Sequence, residues 1–427
     1  MIARPFLDGL FRIAIAAAYP SGCLPPHLPR PPATGRLIVL AAGKAAGAMI
    51  ETAERHYLDE ARLPPSRLTG LAVTRHGYCR PTRLTEVLQA GHPLPDDASC
   101  AAAERILRLA GEAQADDLVL VLLSGGASAN WVAPAPGVTF ADKQAVTRAL
   151  LRSGAAIGEM NTLRKHLSRI KGGRLAARVQ PACVVTLAIS DVPGDDPAVI
   201  GSGPTVPDPT TLADALAIVD RFQLEFPSVT RALSDPDNET PKPGDAVFAN
   251  TSFKLITRPA DAFRAAEAAV RAAGYECILL GDRLEGEARQ VAADHAQLVL
   301  ALQAQGRRAV VLSGGELTVT IRGQGRGGPN QEYALALAVQ LSGAAGITAL
   351  AGDTDGADGG AGGVDDPAGA IIDATTVARA AARGLDPSAF LADNDSTGFF
   401  TCLGDLVKTG PTYTNVNDFR AILVDRP

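Results

Sequence analysis

The feature that most constrains this chain is a short apolar run, Val184–Ile189, that breaks off abruptly into charge and glycine. Its β-branched residues read as a buried strand. Ser190 and Asp191 follow where such a strand would emerge, and Pro193-Gly194-Asp195-Asp196-Pro197 forms a rigid acidic turn. Gly201-Ser202-Gly203-Pro204-Thr205 then offers backbone amides and hydroxyls with little side-chain bulk. In open α/β sheets, ligands bind just beyond the carboxyl ends of strands. Acids for a cation and bare amides for a phosphate, on one such loop, read as a nucleotide–metal site.

The same strand-to-glycine pattern recurs upstream. Leu37–Ala41 is a strand that Gly43-Lys44 turns into an alanine-rich helix near Ala45–His56, and Leu118–Leu123 runs into Ser124-Gly125-Gly126-Ala127-Ser128. Leu71–Thr74 and Glu86–Ala90 read as further strands. Helices are expected over Ala98–Ala110, Asp142–Ile157, much of Met160–Val179, and Leu212–Phe222. Strands alternating with helices predict an α/β fold with a mostly parallel, doubly wound sheet. Pro227–Gly244 is polar, carries Pro227, Pro236, Pro241 and Pro243, and has little periodicity, so a domain boundary is placed there, with domains 1–240 and 241–427. The second half alternates again: strands at Ser252–Thr257, Cys277–Leu280, Ala309–Leu312, Leu317–Ile321 and Ile347–Ala351, with helices at Pro259–Ala273, Gly286–Gln303 and Pro329–Leu341. Two short helices and a strand at Ala421–Val424 are expected to close the chain.

A chain of 427 residues favours two domains, and its net charge of −6 gives no global attraction to nucleic acid or an anionic membrane. A positive field for an anionic substrate must therefore be local. The cysteines at 23, 79, 100, 183, 277 and 402 form no CxxC or Cys/His cluster and read as reduced thiols. At the N-terminus, Phe6, Leu7, Leu10, Ile13 and Ala14 share one helical face, while Asp8 and Arg12 interrupt the apolar run. That predicts a docking helix rather than an export signal. No uncharged apolar run reaches the ~18–20 residues of a membrane span, so a soluble, cytoplasmic protein is expected.

Five stretches could carry chemistry. Lys44, one residue beyond a strand and at a helix start, can add a point charge to an anion held by helix amides; it is no P-loop, because the first glycine of that motif is missing. Ser124–Ser128 is bare backbone suited to phosphate oxygens or simply to a tight turn. A matching Ser313-Gly314-Gly315 after the strand at 309–312 suggests a similar amide-rich lip in each half. NTLRKHLSRIKGGR at 161–174 gathers Arg164, Lys165, His166, Arg169, Lys171 and Arg174: a local field for an acid substrate or phosphates, or a solvated helix face, with His166 a packed residue. Arg326 stands among glycines in GQGRGGPNQE, placed to grip a carboxylate or phosphoryl group, unless the loop is a flexible hairpin. Asp353, Asp355 and Asp358, in AGDTDGADGGAGG, suit Mg²⁺ or an Asx-rich turn.

Taken together, AAGKAAGAM, GHPLPD, LSGGASA, MNTLRKHLSRIKGGRLA, SDVPGDDPAVIGSGPTVPDPTT, LSGGELTV, GRGGPNQE, AGDTDGADG and TGPTYTNVNDFRAILV resemble, in order, the glycerate 2-kinase family of the MOFRL type. The resemblance implies a Rossmann-like N-terminal domain, a smaller α/β MOFRL domain and an active site between them. It implies ATP- and Mg²⁺-dependent transfer of the γ-phosphoryl group to the 2-hydroxyl of D-glycerate. Separately from the resemblance, a homodimer is one assembly to consider. Lys44 and Arg326 become the leading catalytic residues, with Asp191 or Asp195 orienting the hydroxyl or holding Mg²⁺. Ser124, Gly125, Gly126, Ala127, Ser128, Gly201, Ser202, Gly203 and Thr205 would cradle phosphates. Arg164 and Lys171 would join Lys44 and Arg326 on substrate, and Asp353 and Asp355 are further metal candidates. A hydroxypyruvate or tartronate-semialdehyde reductase is the rival enzyme, but no GxGxxG followed by a ribose-binding acid appears after an early strand. A sugar-acid sensor is the other rival, and it lacks a helix-turn-helix-like appendage or basic tail.

Overall fold

A computed structural model describes residues 3–360 and 363–426. Ala361 and Gly362 of the expected glycine–aspartate loop lie outside the described residues. The chain divides into two compact units, Cys23–Ile256 and Met1–Gly22 with Thr257–Pro427.

The first unit is built on six strands: β1 (Leu37–Ala42), β2 (Leu68–Arg75), β3 (Glu86–Ala90), β4 (Leu118–Leu123), β5 (Cys183–Ile189) and β6 (Thr251–Thr257), in the order β3-β2-β1-β4-β5-β6. The first five run parallel, with Leu37 opposite both Leu68 and Leu118. LIVLAA and LVLVLL are buried along their whole length, as a sheet covered on both faces requires. Strand order reverses between β1 and β4, which makes their carboxyl ends the topological switch point where such sheets bind ligands. A separate helical layer packs Val146 and Leu150 of Phe140–Ser153 against Leu163 of Ile157–His166, Val219 of Leu212–Arg221 and Val229 of Pro227–Leu233.

Three expectations shift here. The single helix read over 142–157 ends at Ser153, because Gly154 takes a left-handed turn (φ 72°), and a new helix begins at Ile157. The proline-rich stretch expected to be a linker holds the helix Pro227–Leu233, with proline at its first turn and Val229 and Leu233 buried. The units separate at 256/257, beyond β6, because that strand completes the first sheet.

The second unit carries β7 (Glu276–Leu279), β8 (Gly286–Glu287), β9 (Ala309–Gly315), β10 (Leu317–Thr318), β11 (Ile347–Asp353), β12 (Gly369–Asp373), β13 (Leu406–Val407) and β14 (Asp418–Val424). Six of them form a sheet ordered β13-β12-β11-β14-β9-β7, antiparallel except for the β7–β9 pair. Only Leu317 and Thr318 of the expected strand 317–321 pair, with β8. The chain's end holds three short helices (Thr376–Ala382, Pro387–Ala392, Ser396–Leu403) and, in β12 and β13, strands too short to show a period. The N-terminal helix, Ala3–Ala17, packs on the helix Pro259–Ala272 and on β11 and β14 through Leu7, Leu10, Phe11 and Ala14. Phe11 replaces the expected Ile13 on the buried face, its ring 5.9 Å from that of Phe419. Among the described residues, no helix is long and apolar enough to cross a membrane.

Candidate active site

The switch-point turns after β1 and β4 lock together. A Cβ on Gly43 (φ 112°) would stand 2.4 Å from Ser124 Oγ, so only glycine permits this approach. The Lys44 amide donates to Gly125 O (2.8 Å) and the Ala45 amide to Ser124 Oγ (3.0 Å). Ser124 is thus a buried brace rather than a ligand-facing hydroxyl. Gly126 is left-handed (φ 88°), and a Cβ there would meet His92 Cδ2 at 2.9 Å and Lys44 Cγ at 3.5 Å. Lys44, His92 and the glycine loop therefore share one corner. Ala127 N returns to Ser124 O, whereas the amides of Gly125, Gly126 and Ser128 donate to no group among the described residues. Those three are the amides left for phosphate oxygens.

From this corner opens a cavity of about 510 Å³, floored by Gly126 and Ser128. Lys143, Arg148, Arg164 and Lys171 line it, and no aspartate or glutamate does. Lys171 Nζ donates to Ser128 O (2.6 Å) and to its hydroxyl, which in turn lies 2.9 Å from Ser202 Oγ. Three stretches far apart in sequence meet here. Burial, together with repulsion from Lys143 and Arg164, holds the Lys171 ammonium's proton affinity well below that of a free lysine. Burial likewise lowers Arg164, and burial with the Arg164 charge brings Lys143 down to about 7. Lys143 Nζ donates to the carbonyls of Leu167 (2.7 Å) and Arg164 (3.3 Å), where the helix Ile157–His166 ends. It was absent from the sequence reading, yet it shares the buried stripe of its helix with Val146 and Leu150; a lysine on an apolar face was the available signal.

The remaining members of the basic run are framework. Lys165 pairs with Asp208 at 2.6 Å, both buried, so the field expected from Lys165 is cancelled locally. Arg169 binds Glu104 and Pro134 O, and Arg174 binds Asn238. His166, fully buried, contacts Thr162 O at 2.9 Å and Glu239 at 3.0 Å, a packed histidine as expected.

The loop 201–205 differs from its expected role. Gly201, Ser202 and Gly203 are all left-handed (φ 59°, 63° and 60°). The amides of Ser202 and Gly203 close a turn onto Val199 and Ile200, and the Thr205 hydroxyl bonds Thr186 at 2.7 Å. The carbonyls of Ser202, Gly203 and Pro204 instead receive the amides of Gly172, Gly173 and Leu175. The loop braces the Lys171 turn, because three successive left-handed residues aim carbonyls, not amides, at the helix Arg174–Val179.

Asp191 and Asp195 stand half-buried at the end of β5, Asp195 left-handed (φ 58°). Among the described residues, no three His, Cys, Asp or Glu side chains gather as a metal cage. In the other unit, Asp353 accepts the Asp355 amide (2.9 Å) and Asp355 the Ala357 amide (2.7 Å), an Asx-turn chain. Asp358 receives the amides of Asn330 (3.0 Å) and Gln331 (2.8 Å), capping the helix Pro329–Leu341; burial and the nearby Asp418 push its carboxyl up to about 7. The second Ser-Gly-Gly is no lip: Gly314 and Gly315 remain in β9, paired with Phe419 and Asp418 of β14. Arg326 is exposed on a loop that is anything but slack. The amides of Gly323, Gln324 and Arg326 donate to the side chains of Asn394, Asp393 and Asp395 at 3.0, 2.9 and 3.2 Å. The latch LADNDS carried no signal in the sequence reading.

A doubly wound sheet whose switch point joins a lysine turn, a bare glycine loop and an acid-free cationic cavity defines an α/β enzyme for anionic, phosphate-bearing ligands. Residues 6–234 match the family described as Domain of unknown function (DUF4147), and residues 309–418 match the MOFRL family. The D-glycerate 2-kinase of Thermotoga maritima is 38% identical over 411 residues, 95% of this chain and 94% of that protein. The crystal structure of glycerate kinase from Thermotoga maritima superposes with a TM-score of 0.85 at 36% identity, covering 98% of this chain and 99% of that one. A protein of Agrobacterium vitis named as a candidate hydroxypyruvate reductase is 48% identical over 428 residues, 99% of this chain and 94% of that protein. The chain belongs to the glycerate 2-kinase family.

Proposed function

We propose that this protein is an ATP-dependent glycerate 2-kinase. It transfers the γ-phosphoryl group to the 2-hydroxyl of D-glycerate, giving 2-phosphoglycerate and ADP. The observation that carries this reading is the packing of the Lys44 turn on the Ser-Gly-Gly loop at the switch point, beside a cavity whose lining holds Lys143, Arg148, Arg164 and Lys171 and no carboxylate. Phosphoryl transfer asks chiefly for positioning and charge neutralisation. In the reaction the glycerate oxygen bonds to the γ-phosphorus as the bond to the β-bridging oxygen breaks, and the hydroxyl proton passes to whichever of Asp191 and Asp195 does not hold the metal. Lys44 neutralises the migrating group, while the amides of Gly125, Gly126 and Ser128 hold phosphate oxygens; Arg326 is the further catalytic candidate. Arg164 and Lys171 supply positive charge to the anionic reactants.

Mg²⁺ takes one or two carboxylates and completes its shell with water and phosphate oxygens. Asp191 and Asp195, on one strand-end turn, fit that demand. Asp353 and Asp355, each of which gives an oxygen to a backbone amide, are the second pair of candidates. Bound there, the ion would offset charge on the triphosphate. Cytoplasmic residence and a homodimer complete the proposal.

The reductase reading draws on the name of the Agrobacterium relative. It needs a dinucleotide site, and the β1 turn Ala42-Gly43-Lys44-Ala45-Ala46-Gly47 lacks the second glycine two residues after the first. One assay decides. ADP release with ATP, Mg²⁺ and D-glycerate, and 2-phosphoglycerate by phosphorus NMR, is the expected result. NADH oxidation with hydroxypyruvate and no ADP release would replace the kinase by the reductase.

A further inference from the structure

The cavity of the Cys23–Ile256 unit is far larger than glycerate requires. Its volume of about 510 Å³ falls among pockets that enclose drug-sized ligands, about 300–1,000 Å³, and a three-carbon acid would fill a small part of it. Its lining is also graded. Lys143, Thr147 and Leu151 recur every fourth residue on the helix Phe140–Ser153 and all face the cavity. One helix face therefore leads from charge to hydrocarbon over about 12 Å. At its start, Lys143 is buried beside Arg164. At its end, Leu151 is 59% exposed; Leu94, a second apolar lining residue, is 80% exposed. Phe140 and Val132 complete the apolar wall, and the amide of Gln144 lies within the same lining.

We propose that this cavity is the seat of the nucleotide, with the triphosphate against Lys143, Arg164 and Lys171 and the purine against Phe140, Val132 and Leu151. Three clustered cations with no lining carboxylate repel one another, a cost that a polyanion relieves and a single carboxylate would relieve only in part. Burial first, and the neighbouring cations second, lower the proton affinities of Lys143 and Lys171, so an anion placed among them would be favoured on both counts. Gly126, which a side chain of Lys44 flanks, lies in the same floor, so a terminal phosphate resting there would meet Lys44. The inference rests on the kinase reading and assigns Arg164 and Lys171 to ATP rather than to glycerate.

Two full-length variants test it by steady-state kinetics and by calorimetric ADP binding. Thr147→Trp fills the purine end, and Arg164→Ala removes a charge at the phosphate end. Both should raise KM for ATP and the Kd for ADP roughly 10- to 100-fold, the worth of one charge-assisted bond or a blocked subsite, with KM for D-glycerate unchanged. A raised KM for glycerate beside an unchanged KM for ATP would make the cavity the acceptor's and overturn the proposal. The wild-type enzyme gives a second, fold-independent measurement: acylation of Lys143 and Lys171 by an amine-reactive ester, read by peptide mass. ADP should protect both lysines and D-glycerate neither; protection by glycerate alone, or none by ADP, overturns the seat. Turnover of ATP and glycerate with the lysines unprotected would sink the seat and leave the kinase standing. Protection by ADP without turnover would do the reverse.

Discussion

Lys171 Nζ lies 2.6 Å from the carbonyl oxygen of Ser128, 43 residues earlier in the chain. This contact ties the loop after β4 to the end of the basic run, and the left-handed turn at Gly201–Gly203 supports it from behind. A buried ammonium with no acid beside it in the cavity is an expensive arrangement. Its retention makes physical sense where an anion completes it.

Replacing Lys171 by Met separates function from stability. The variant removes a buried charge and its repulsion with Lys143 and Arg164, so the melting temperature should not fall. Loss of one charge-assisted contact to an anion should lower kcat/KM roughly 10- to 100-fold. Ser128→Ala, which keeps the carbonyl and loses only the hydroxyl, should cost less than Lys171→Met. A Lys171→Met protein that melts lower and works normally would make this lysine structural.

Lys165, six residues earlier, should behave in the opposite way. It is paired with the fully buried Asp208, whose carboxyl it helps hold below the usual range against the desolvation that would raise it. Lys165→Met leaves that buried carboxylate with only the neutral donors of Thr210 and Thr240 and should destabilise the protein, by up to about 3–5 kcal/mol. Chemical denaturation measures this directly, and replacing Asp208 by Asn in the same chain should recover part of the loss. An unchanged denaturation midpoint for Lys165→Met would show that Asp208 has other means of compensation.

These two lysines mark where sequence reading stopped. Strands such as Leu118–Leu123 were legible because a sheet buried on both faces writes continuous apolar runs. The glycine turns were legible because Gly43 and Gly126 occupy backbone conformations other residues resist. Within NTLRKHLSRIKGGR, however, nothing local says that Lys165 faces Asp208 while Lys171 faces a cavity; their partners come from 40 or so positions away. The amides of Ser202 and Gly203 looked available because composition shows glycine but not the sign of φ. Asp393–Asp395 was invisible for the same reason: its partners are backbone amides, which every sequence has.

That latch makes a prediction about Arg326. Asp395 accepts the Arg326 amide at 3.2 Å and also the Gly398 amide at 3.1 Å, capping the helix Ser396–Leu403. Arg326→Ala should lower kcat on the order of 10³-fold if the guanidinium acts on the migrating phosphoryl group, with little change in stability because the side chain is exposed. Asp395→Ala should lower stability by about 0.5–2 kcal/mol through the lost cap and reduce kcat by a smaller factor through the slackened loop. Equal kcat in Arg326→Ala and wild type, with both folded, would remove the arginine from the mechanism.

The last prediction concerns pH. Burial, with the Arg164 charge, brings Lys143 down to about 7 from an ordinary 10.5. The unfolded chain therefore holds more protons than the folded one between those values. This group's contribution to stability rises with pH across that window and is least favourable below about 7. A phosphate placed beside Lys143 favours the ammonium and draws its proton affinity back up. ADP binding near pH 8 should thus take up protons, and the uptake should fade toward pH 6, where Lys143 is already charged. Calorimetry in two buffers of different ionisation enthalpy measures the uptake as the difference in apparent heat. Lys143→Met should reduce that difference to the share of Lys171, and Lys143→Arg, charged at every pH, should reduce it likewise while retaining more affinity. Identical heats in both buffers for the wild-type enzyme near pH 8 would mean that no bound anion reaches Lys143.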